Sequence, residues 1–130
     1  LVFAEVFLRA FDMPTAFAPP MVQLLEPSID LENTAHLLAF SGDRPIGTCS
    51  LMQHQIYGVL GSAGIVPSRR GKGAATNLAI AAVEEAQRRG ITTLMLQTTA
   101  GTLLERFLRI QGFQRAFTRT CYVLPNPADH

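Results

Sequence analysis

The chain has 130 residues, of which 48% are hydrophobic and 16% are charged, and its formal net charge is +1. That length suits one domain with a sizeable core, and the near-neutral balance excludes binding to nucleic acid or membrane surfaces through bulk charge. No apolar run approaches the roughly 20 residues that span a bilayer, and the opening residues lack the features of a signal peptide. We therefore expect a single cytoplasmic domain over residues 1–130.

The cysteines and histidines argue against disulfide and metal chemistry. Cys49 and Cys121 both lie in strand-like segments, and we predict that they are free, buried thiols in a reducing compartment. The three histidines are scattered, without the helical or hairpin spacing that metal ligands share. We expect no metal site.

The first half of the chain predicts two helices followed by an antiparallel hairpin. The helices are predicted over Val2–Phe11 and Thr15–Leu25, the second interrupted by two prolines. After a polar loop, strands are predicted over Ala35–Phe40 and Ile46–His54, joined by a turn over Ser41–Pro45.

A third predicted strand, Val59–Val66, is joined to a long predicted helix, Thr76–Arg89, by a loop rich in glycine and cations. Free amides at a helix N-terminus and the positive end of the helix dipole favour phosphate. Gly71 and Gly73 permit positive φ and let a ligand approach the backbone. The loop therefore predicts a phosphate-binding site.

Two familiar phosphate loops do not fit this stretch. A Walker A loop needs Ser or Thr after its Gly-Lys, whereas Gly73 follows Lys72 here. A dinucleotide fingerprint needs a third glycine and an acidic residue after the next strand, and residues 94–99 contain no acid. An ordinary basic turn between a strand and a helix is the alternative that stays open.

The long helix and the segments after it complete the pattern. A stripe of small and apolar residues faces the sheet, and Glu84 with Arg88 and Glu85 with Arg89 are predicted ion pairs. The stripe comprises Ala75, Leu78, Ala79, Ala82, Val83 and Ala86. A short strand is predicted over Thr92–Thr98, a capping box opens a last helix at Thr102, and a final strand or hairpin is predicted within Gln114–Leu124. Residues 125–130 are predicted as a tail.

The run from Val66 to Ala75 closely resembles the coenzyme A signature of the GNAT superfamily of N-acetyltransferases, which reads Arg/Gln-x-x-Gly-x-Gly/Ala. Arg70, Gly73 and Ala75 fill its fixed places. The end of the chain, Glu105–Phe113 followed by Ala116–Thr120, is similar to the last helix and final strands of one acetyltransferase branch.

The resemblance implies an α+β fold in which helices flank a mostly antiparallel central sheet. Members of the superfamily open with a strand that pairs against the strand predicted here at Ala35–Phe40, and this sequence offers no candidate for it. The exposed edge is an association hazard. We therefore expect either a longer parent chain or a second copy in a homodimer to cover that edge.

The resemblance also implies acetyl-CoA as cosubstrate and a primary amine, on a small molecule or a peptide, as acceptor. Main chain at Ile65 and Val66 is expected to bind the pantetheine arm, and the loop is expected to hold the pyrophosphate. The loop residues are Arg70, Gly71, Lys72, Gly73, Ala74 and Ala75. Arg69 and Lys72 either add charge at the phosphates or face solvent.

The residues that usually handle protons in this superfamily have no counterpart here. Leu108 occupies the place of a common tyrosine, and the strand at 59–66 carries no acid. His54 and Tyr57 are the substitutes that the sequence offers, and Ser62 and Cys49 lack paired groups that would make them nucleophiles. Two functions follow: an N-acetyltransferase, or a non-catalytic acyl-CoA-binding sensor or inert half of a larger protein.

Overall fold

The computed structural model describes residues 1–126, which form two compact units with their boundary in the chain between Leu96 and Gln97. The first unit holds three helices and the whole sheet, and the second holds one helix. The last four residues of the predicted tail lie outside the described part of the chain. The expectation of a single domain stays a prediction.

The first unit begins with helices and continues as a meander of strands. Its helices are α1 (Val2–Ala10), α2 (Ala18–Leu25) and α3 (Ala74–Arg88), and short 3-10 turns cover Thr15–Phe17, Glu26–Ser28 and Pro67–Arg69. Its strands are β1 (Thr34–Ser41), β2 (Arg44–His54), β3 (Tyr57–Ile65) and β4 (Thr93–Met95). The two prolines predicted to interrupt the second helix instead stand in its first turn, where a missing N–H costs little.

The strands form one sheet in the order β1-β2-β3-β4. The first three are antiparallel neighbours, and β4 joins β3 in parallel after the crossover through α3. The predicted α+β fold with a mostly antiparallel sheet is therefore confirmed. The fourth strand is much shorter than the predicted Thr92–Thr98, because only Thr93–Met95 pair with β3.

Alternating side chains of β2 divide the core into two layers. Cys49 packs with Leu78 of α3 on one face of the sheet, and Ile46 packs with Val6 of α1 on the other. We call these the α3 face and the α1 face. The largest fully buried side chains include Leu8 and Leu51.

The stripe predicted for α3 is only partly buried. Leu78, Ala82 and Ala86 are the buried residues of the helix, whereas Ala75 and Val83 are exposed. One predicted ion pair is confirmed, because Glu85 accepts a hydrogen bond from Arg89 at 2.7 Å. The other is wrong: Arg88 pairs with Glu85, three residues earlier, instead of Glu84.

The second unit contains α4 (Leu103–Ile110) and begins with the predicted capping box. The Thr102 hydroxyl accepts from the Glu105 N–H at 3.3 Å, while the Glu105 carboxylate accepts from the Gly101 N–H at 2.6 Å. The predicted final strand is wrong for the described residues, since 114–126 form neither helix nor strand. With no ladder to enclose it, Cys121 is an exposed free thiol, whereas Cys49 is buried as predicted.

Candidate coenzyme site

The loop between β3 and α3 has the left-handed backbone that its glycines predict. Gly71 and Gly73 have φ values of +78° and +88°, a region that side chains rarely adopt. A Cβ added at either glycine would meet no described atom within 4 Å. The glycines are thus needed for the turn, and they face open space instead of the core.

Helix α3 begins directly after Gly73, which is its N-cap residue. The first hydrogen bond within the helix is donated by the Asn77 N–H to the Gly73 carbonyl at 3.1 Å. Within the described residues, no side chain caps this end. The amides of Ala74, Ala75 and Thr76 therefore precede the helical ladder, as the orphan donors of a helix N-terminus do.

Arg70 fixes the loop to the rest of the unit. Its Nε donates to the Ile65 carbonyl at 3.1 Å, and its Nη2 donates to the Ala10 carbonyl at 2.6 Å. The Ala10 carbonyl ends α1, where the helix dipole favours a cation. The guanidinium therefore binds backbone on two elements and braces the turn.

Two shallow clefts beside the loop are lined in part by basic side chains. One, of about 340 Å³, is lined by Arg9, Arg44 and Arg69 together with Ser68. The other, of about 290 Å³, lies against α3 and includes Arg69 and Lys72 in its lining. Within residues 1–126 none of these four cations forms a salt bridge with a carboxylate. The electrostatic potential beside the loop therefore favours the binding of anions.

Strand β4 covers only the first part of β3. Their pairing runs from Tyr57 with Thr93 to Val59 with Met95 and stops there. The remainder of β3, up to Ile65, pairs only with β2 in the described structure. From Leu60 to Ile65, the edge of β3 that faces away from β2 therefore has no strand partner in the described sheet.

A bulge lies in the part of β3 that continues beyond its pairing with β4. Thr48 pairs with Gly64 and Ser50 pairs with Gly61, so Ser62 and Ala63 together oppose one residue of β2. Ser62 has a φ of +49°, and its carbonyl accepts a hydrogen bond from the Thr48 hydroxyl at 2.7 Å. A bulge leaves backbone groups outside the regular ladder, and here they lie in the part of β3 that β4 does not cover.

A chain of three polar side chains crosses the α1 face next to this bulge. The His36 ring lies between two hydroxyls: Nδ1 is 2.8 Å from Ser50 Oγ, and Nε2 is 2.7 Å from Ser28 Oγ. Ser28 Oγ also donates to the Leu25 carbonyl at 2.5 Å. We refer to Ser28, His36 and Ser50 as the serine–histidine chain. Burial lowers the pKa of His36 below its usual value.

The predicted coenzyme-binding residues lie next to one another in the structure. The predicted catalytic residues, His54 and Tyr57, lie far from them. Ile65 and Val66 lead directly into the loop, as expected, although the Val66 N–H already donates to the Ile46 carbonyl at 2.8 Å. His54 and Tyr57 pair with each other at the opposite end of β3, where β3 pairs with β4. At about 3.3 Å per residue, Tyr57 lies roughly 25 Å along the strand from Ile65. Leu108 is half-buried in α4 of the second unit.

Sequence reasoning missed the serine–histidine chain. A signal was present, because Thr48 and Ser50 are polar at alternate positions in an otherwise apolar stretch of β2. They are the buried polar residues of the described chain. Alternation of that kind indicates a polar patch on one face of a strand.

The sequence model of the acetyltransferase (GNAT) family matches residues 5–113. Because this match spans most of the chain, the protein belongs to the acetyltransferase (GNAT) family. The resemblance inferred from Arg70, Gly73 and Ala75 is thereby confirmed. No curated protein sequence matches the chain.

Solved structures share the fold at low identity. A predicted acetyltransferase from Clostridium acetobutylicum, solved with acetyl-CoA, is 17% identical with a TM-score of 0.72, over 99% of this chain and 90% of that one. The aminoglycoside 6'-N-acetyltransferase AAC(6')-IG from Acinetobacter haemolyticus is 18% identical with a TM-score of 0.68, over 84% and 82%. A transcriptional regulator from Bacillus halodurans is 17% identical with a TM-score of 0.73, over 95% and 93%.

Two general properties complete the description. Within the described residues, no helix is both long and apolar enough to cross a membrane. Among the same residues there is no group of three or more His, Cys, Asp or Glu that could hold a metal ion.

Proposed function

We propose that the protein is an N-acetyltransferase that moves the acetyl group of acetyl-CoA to a primary amine on a small-molecule or peptide acceptor. The observation that carries this proposal is the pair of left-handed glycines, Gly71 and Gly73, directly before the uncapped N-terminus of α3. Open space above both glycines leaves room for a ligand. These two glycines and the free amides at the start of α3, which we call the cradle, thus suit a pyrophosphate. A pyrophosphate needs close approach to the backbone and several N–H donors.

In this proposal the loop from Arg70 to Ala75 holds the pyrophosphate, with amides at the start of α3 as donors. Arg70 acts indirectly, because both of its hydrogen bonds go to protein carbonyls. Lys72 and Arg69 supply charge nearby. The Ile65 carbonyl accepts one bond from Arg70 and has a second lone pair, which gives the pantetheine arm an acceptor at the end of β3.

Acetyl-CoA supplies an activated thioester when it is bound. The protein then has to orient the acceptor amine, keep it deprotonated and stabilise a developing oxyanion. The bulge at Ser62 and Ala63 is suited to the last task, since it leaves backbone groups outside the ladder. No acidic side chain of β3 takes part, because β3 has none.

The class of acceptor is supported by fold similarity alone. AAC(6')-IG is named as an enzyme that acetylates an aminoglycoside antibiotic, and such compounds carry amines. Free thiols at Cys49 and Cys121 support a reducing compartment such as the cytoplasm. A homodimer or a longer parent chain that covers β1 stays part of the proposal, since β1 forms an edge of the described sheet.

A second candidate is an acyl-CoA sensor without turnover. One observation favours it: Leu108 stands where many family members carry a tyrosine, and β3 lacks an acid. The similarity to a transcriptional regulator is compatible with such a role. Both candidate functions use the same loop to bind the coenzyme. They differ only in whether the acetyl group is transferred to an acceptor.

Two measurements separate these candidates. Acetyl-CoA at 100 times its dissociation constant is expected to stabilise the protein by about 2.7 kcal/mol, which a thermal shift assay detects. A panel of primary amines with acetyl-CoA, read by mass spectrometry for acetylated product and by free thiol for released CoA, then tests transfer. Stabilisation without any product would favour the sensor, and no thermal shift at millimolar acetyl-CoA would contradict both.

A further inference from the structure

Three arginines from separate elements line the cleft of about 340 Å³ beside the loop. Arg9 stands in the last turn of α1, Arg44 is the first residue of β2, and Arg69 ends the 3-10 turn after β3. Ser68 adds a hydroxyl to the same lining, and we call these four residues the arginine cleft. All of them belong to the first compact unit. Arg9 and Arg44 are exposed and Arg69 is half-buried, so a solute reaches all three.

None of the three guanidinium groups has a hydrogen-bond or ion-pair partner within residues 1–126. Acidic neighbours are present in the sequence. Glu5 precedes Arg9 by four residues, the spacing that favours an ion pair on a helix, and Asp43 directly precedes Arg44. Neither carboxylate forms a salt bridge with its neighbour in the described structure. The positive charge of the cleft is therefore not neutralised by nearby acids.

A fourth arginine takes over the usual role of a cation at the end of α1. Basic side chains in the last turn of a helix commonly bind its C-terminal carbonyls. Here Arg70 Nη2 donates to the Ala10 carbonyl at 2.6 Å, and Arg9 makes no such bond in the described residues. Several guanidinium groups thus lie near one another beside the end of α1. Like charges at short range repel, and a bound anion relieves that repulsion.

The floor of the arginine cleft is apolar and firmly packed. Ile46 and Val66 belong to its lining and are buried, with Val6 of α1 in the same core cluster. The Val66 N–H donates to the Ile46 carbonyl at 2.8 Å, which joins the start of β2 to the end of β3. The backbone under the arginines is therefore held by the core. Binding of an anion has to order only the arginine side chains, which limits its entropic cost.

Charge and donor geometry favour a phosphomonoester over a carboxylate. The cleft carries three positive charges, and no acidic residue lines it. A monocarboxylate would leave most of that charge uncompensated, whereas a phosphomonoester carries about −1.5 to −2 at neutral pH and offers three acceptor oxygens. Guanidinium groups bind phosphate oxygens through paired N–H donors. Three arginines and one hydroxyl therefore suit a phosphate dianion.

We propose that the arginine cleft binds the phosphate group of a phosphomonoester, at a site separate from the cradle. Arg9, Arg44 and Arg69 donate to its oxygens, and the Ser68 hydroxyl supplies a neutral donor. The phosphate belongs either to the coenzyme itself or to a second small molecule. Both sources are within reach, because Ser68 lies three residues before Gly71, a span of at most about 11 Å. The site does not depend on acetyl transfer, so it can be tested without turnover.

The test uses phenyl phosphate as the probe and benzoate as its monoanionic counterpart, each titrated at low salt and followed by NMR. Phenyl phosphate is expected to bind more tightly than benzoate, with an affinity that falls as salt rises. Arg9→Gln and Arg44→Gln are each expected to weaken phenyl phosphate binding about 10-fold, as the loss of a charge-assisted hydrogen bond does. Neither variant should lose thermal stability without ligand, because each removes a repulsive charge.

Arg88→Gln is the matched control, because it removes one exposed cation at the opposite end of α3. Glu85 keeps its bond to Arg89 in this variant. Phenyl phosphate binding should be unchanged. An equal loss of affinity in Arg88→Gln would show that net charge alone attracts the probe, and it would overturn the site. Binding of benzoate as tight as that of phenyl phosphate would also overturn it.

A second comparison identifies the source of the phosphate. Acetyl-CoA and its 3′-dephospho form differ only in a phosphomonoester. If the coenzyme supplies the group, the dephospho form should bind about 10-fold more weakly, Arg9→Gln should remove this difference, and acetyl-CoA should displace phenyl phosphate. If a second molecule supplies it, both forms should bind equally and phenyl phosphate should bind alongside them.

The outcomes separate this site from the proposed function. Failure of millimolar phenyl phosphate to bind, with equal affinity for the two coenzyme forms, would overturn the arginine cleft alone. Failure of acetyl-CoA to bind while phenyl phosphate still binds would overturn the proposed function and leave the cleft standing.

Discussion

The Arg70 guanidinium donates a 2.6 Å hydrogen bond to the carbonyl of Ala10, a residue 60 positions away in the chain. This bond joins the loop between β3 and α3 to the C-terminus of α1, and a second bond to Ile65 joins it to the end of β3. The family signature residue is therefore part of the scaffold that holds the loop. Its mutation should affect folding first and ligand binding second.

Arg70→Ala is expected to destabilise the protein by about 1–3 kcal/mol, because it leaves two carbonyls without a charged donor. Chemical denaturation measures this loss, and acetyl-CoA affinity should fall as the loop loosens. Lys72→Ala is the matched control: it is an exposed cation with no hydrogen bond or ion pair in the described structure. It should weaken binding in a salt-dependent way with no loss of stability. Equal stability of the two variants would show that the Arg70 bonds contribute little.

A comparison of Gly73→Val with Gly90→Val should separate the effect of backbone strain from a loss of acetyl-CoA binding. Both glycines have positive φ, +88° and +72°, and at both an added Cβ would meet no described atom within 4 Å. Each valine should therefore cost about 1–3 kcal/mol of backbone strain. Gly73 stands before the start of α3 and Gly90 beyond its end, so only Gly73→Val should abolish the thermal shift with acetyl-CoA. Retained binding in Gly73→Val would refute the assigned cradle.

Gly64→Ala should loosen the packing of α1. An added Cβ would lie 2.9 Å from Phe11 Cε2 and 3.0 Å from Ala10 Cβ, and the latter cannot move without the helix. Overpacking of this kind costs about 1–3 kcal/mol. Gly61→Ala, on the same strand, has open space and should change the free energy of unfolding by less than half as much. Urea denaturation of the pair provides the comparison, and equal losses would contradict the described contact between α1 and β3.

Glu85 should contribute stability that disappears in acid. The hydrogen bond from Arg89 lowers the pKa of Glu85 below its usual value of 4.5. A lowered folded-state pKa stabilises the protein above about pH 4.5, and this contribution is lost as the pH falls through the folded-state pKa. Glu85→Gln should remove a few tenths to about 1 kcal/mol at pH 7 and progressively less as the pH falls below 4.5. Glu84→Gln, whose partner was predicted wrongly, should change neither value measurably.

Local chemistry allowed several features to be predicted from the sequence. Gly71 and Gly73 predicted a left-handed turn before α3, because the backbone of glycine reaches positive φ without steric cost. Thr102 and Glu105 predicted the start of α4, because a capping box satisfies amides within four residues. These features need no contact with distant parts of the chain. The final strand predicted within Gln114–Leu124 was wrong because a strand needs a partner, which apolar alternation does not provide.

The serine–histidine chain depends on register, which only the tertiary structure decided. Counting back from the two-residue turn that pairs Ser41 with Arg44 would place Cys49 opposite His36. An irregularity between Ala39 and Phe40 adds one residue to β2, so His36 pairs with Ser50 instead. A shift of one residue exchanges the two faces of a strand. The sequence by itself therefore determined the left-handed turn before α3, whereas the packing of α1 and α3 on opposite faces of the sheet selected the residue that pairs with His36.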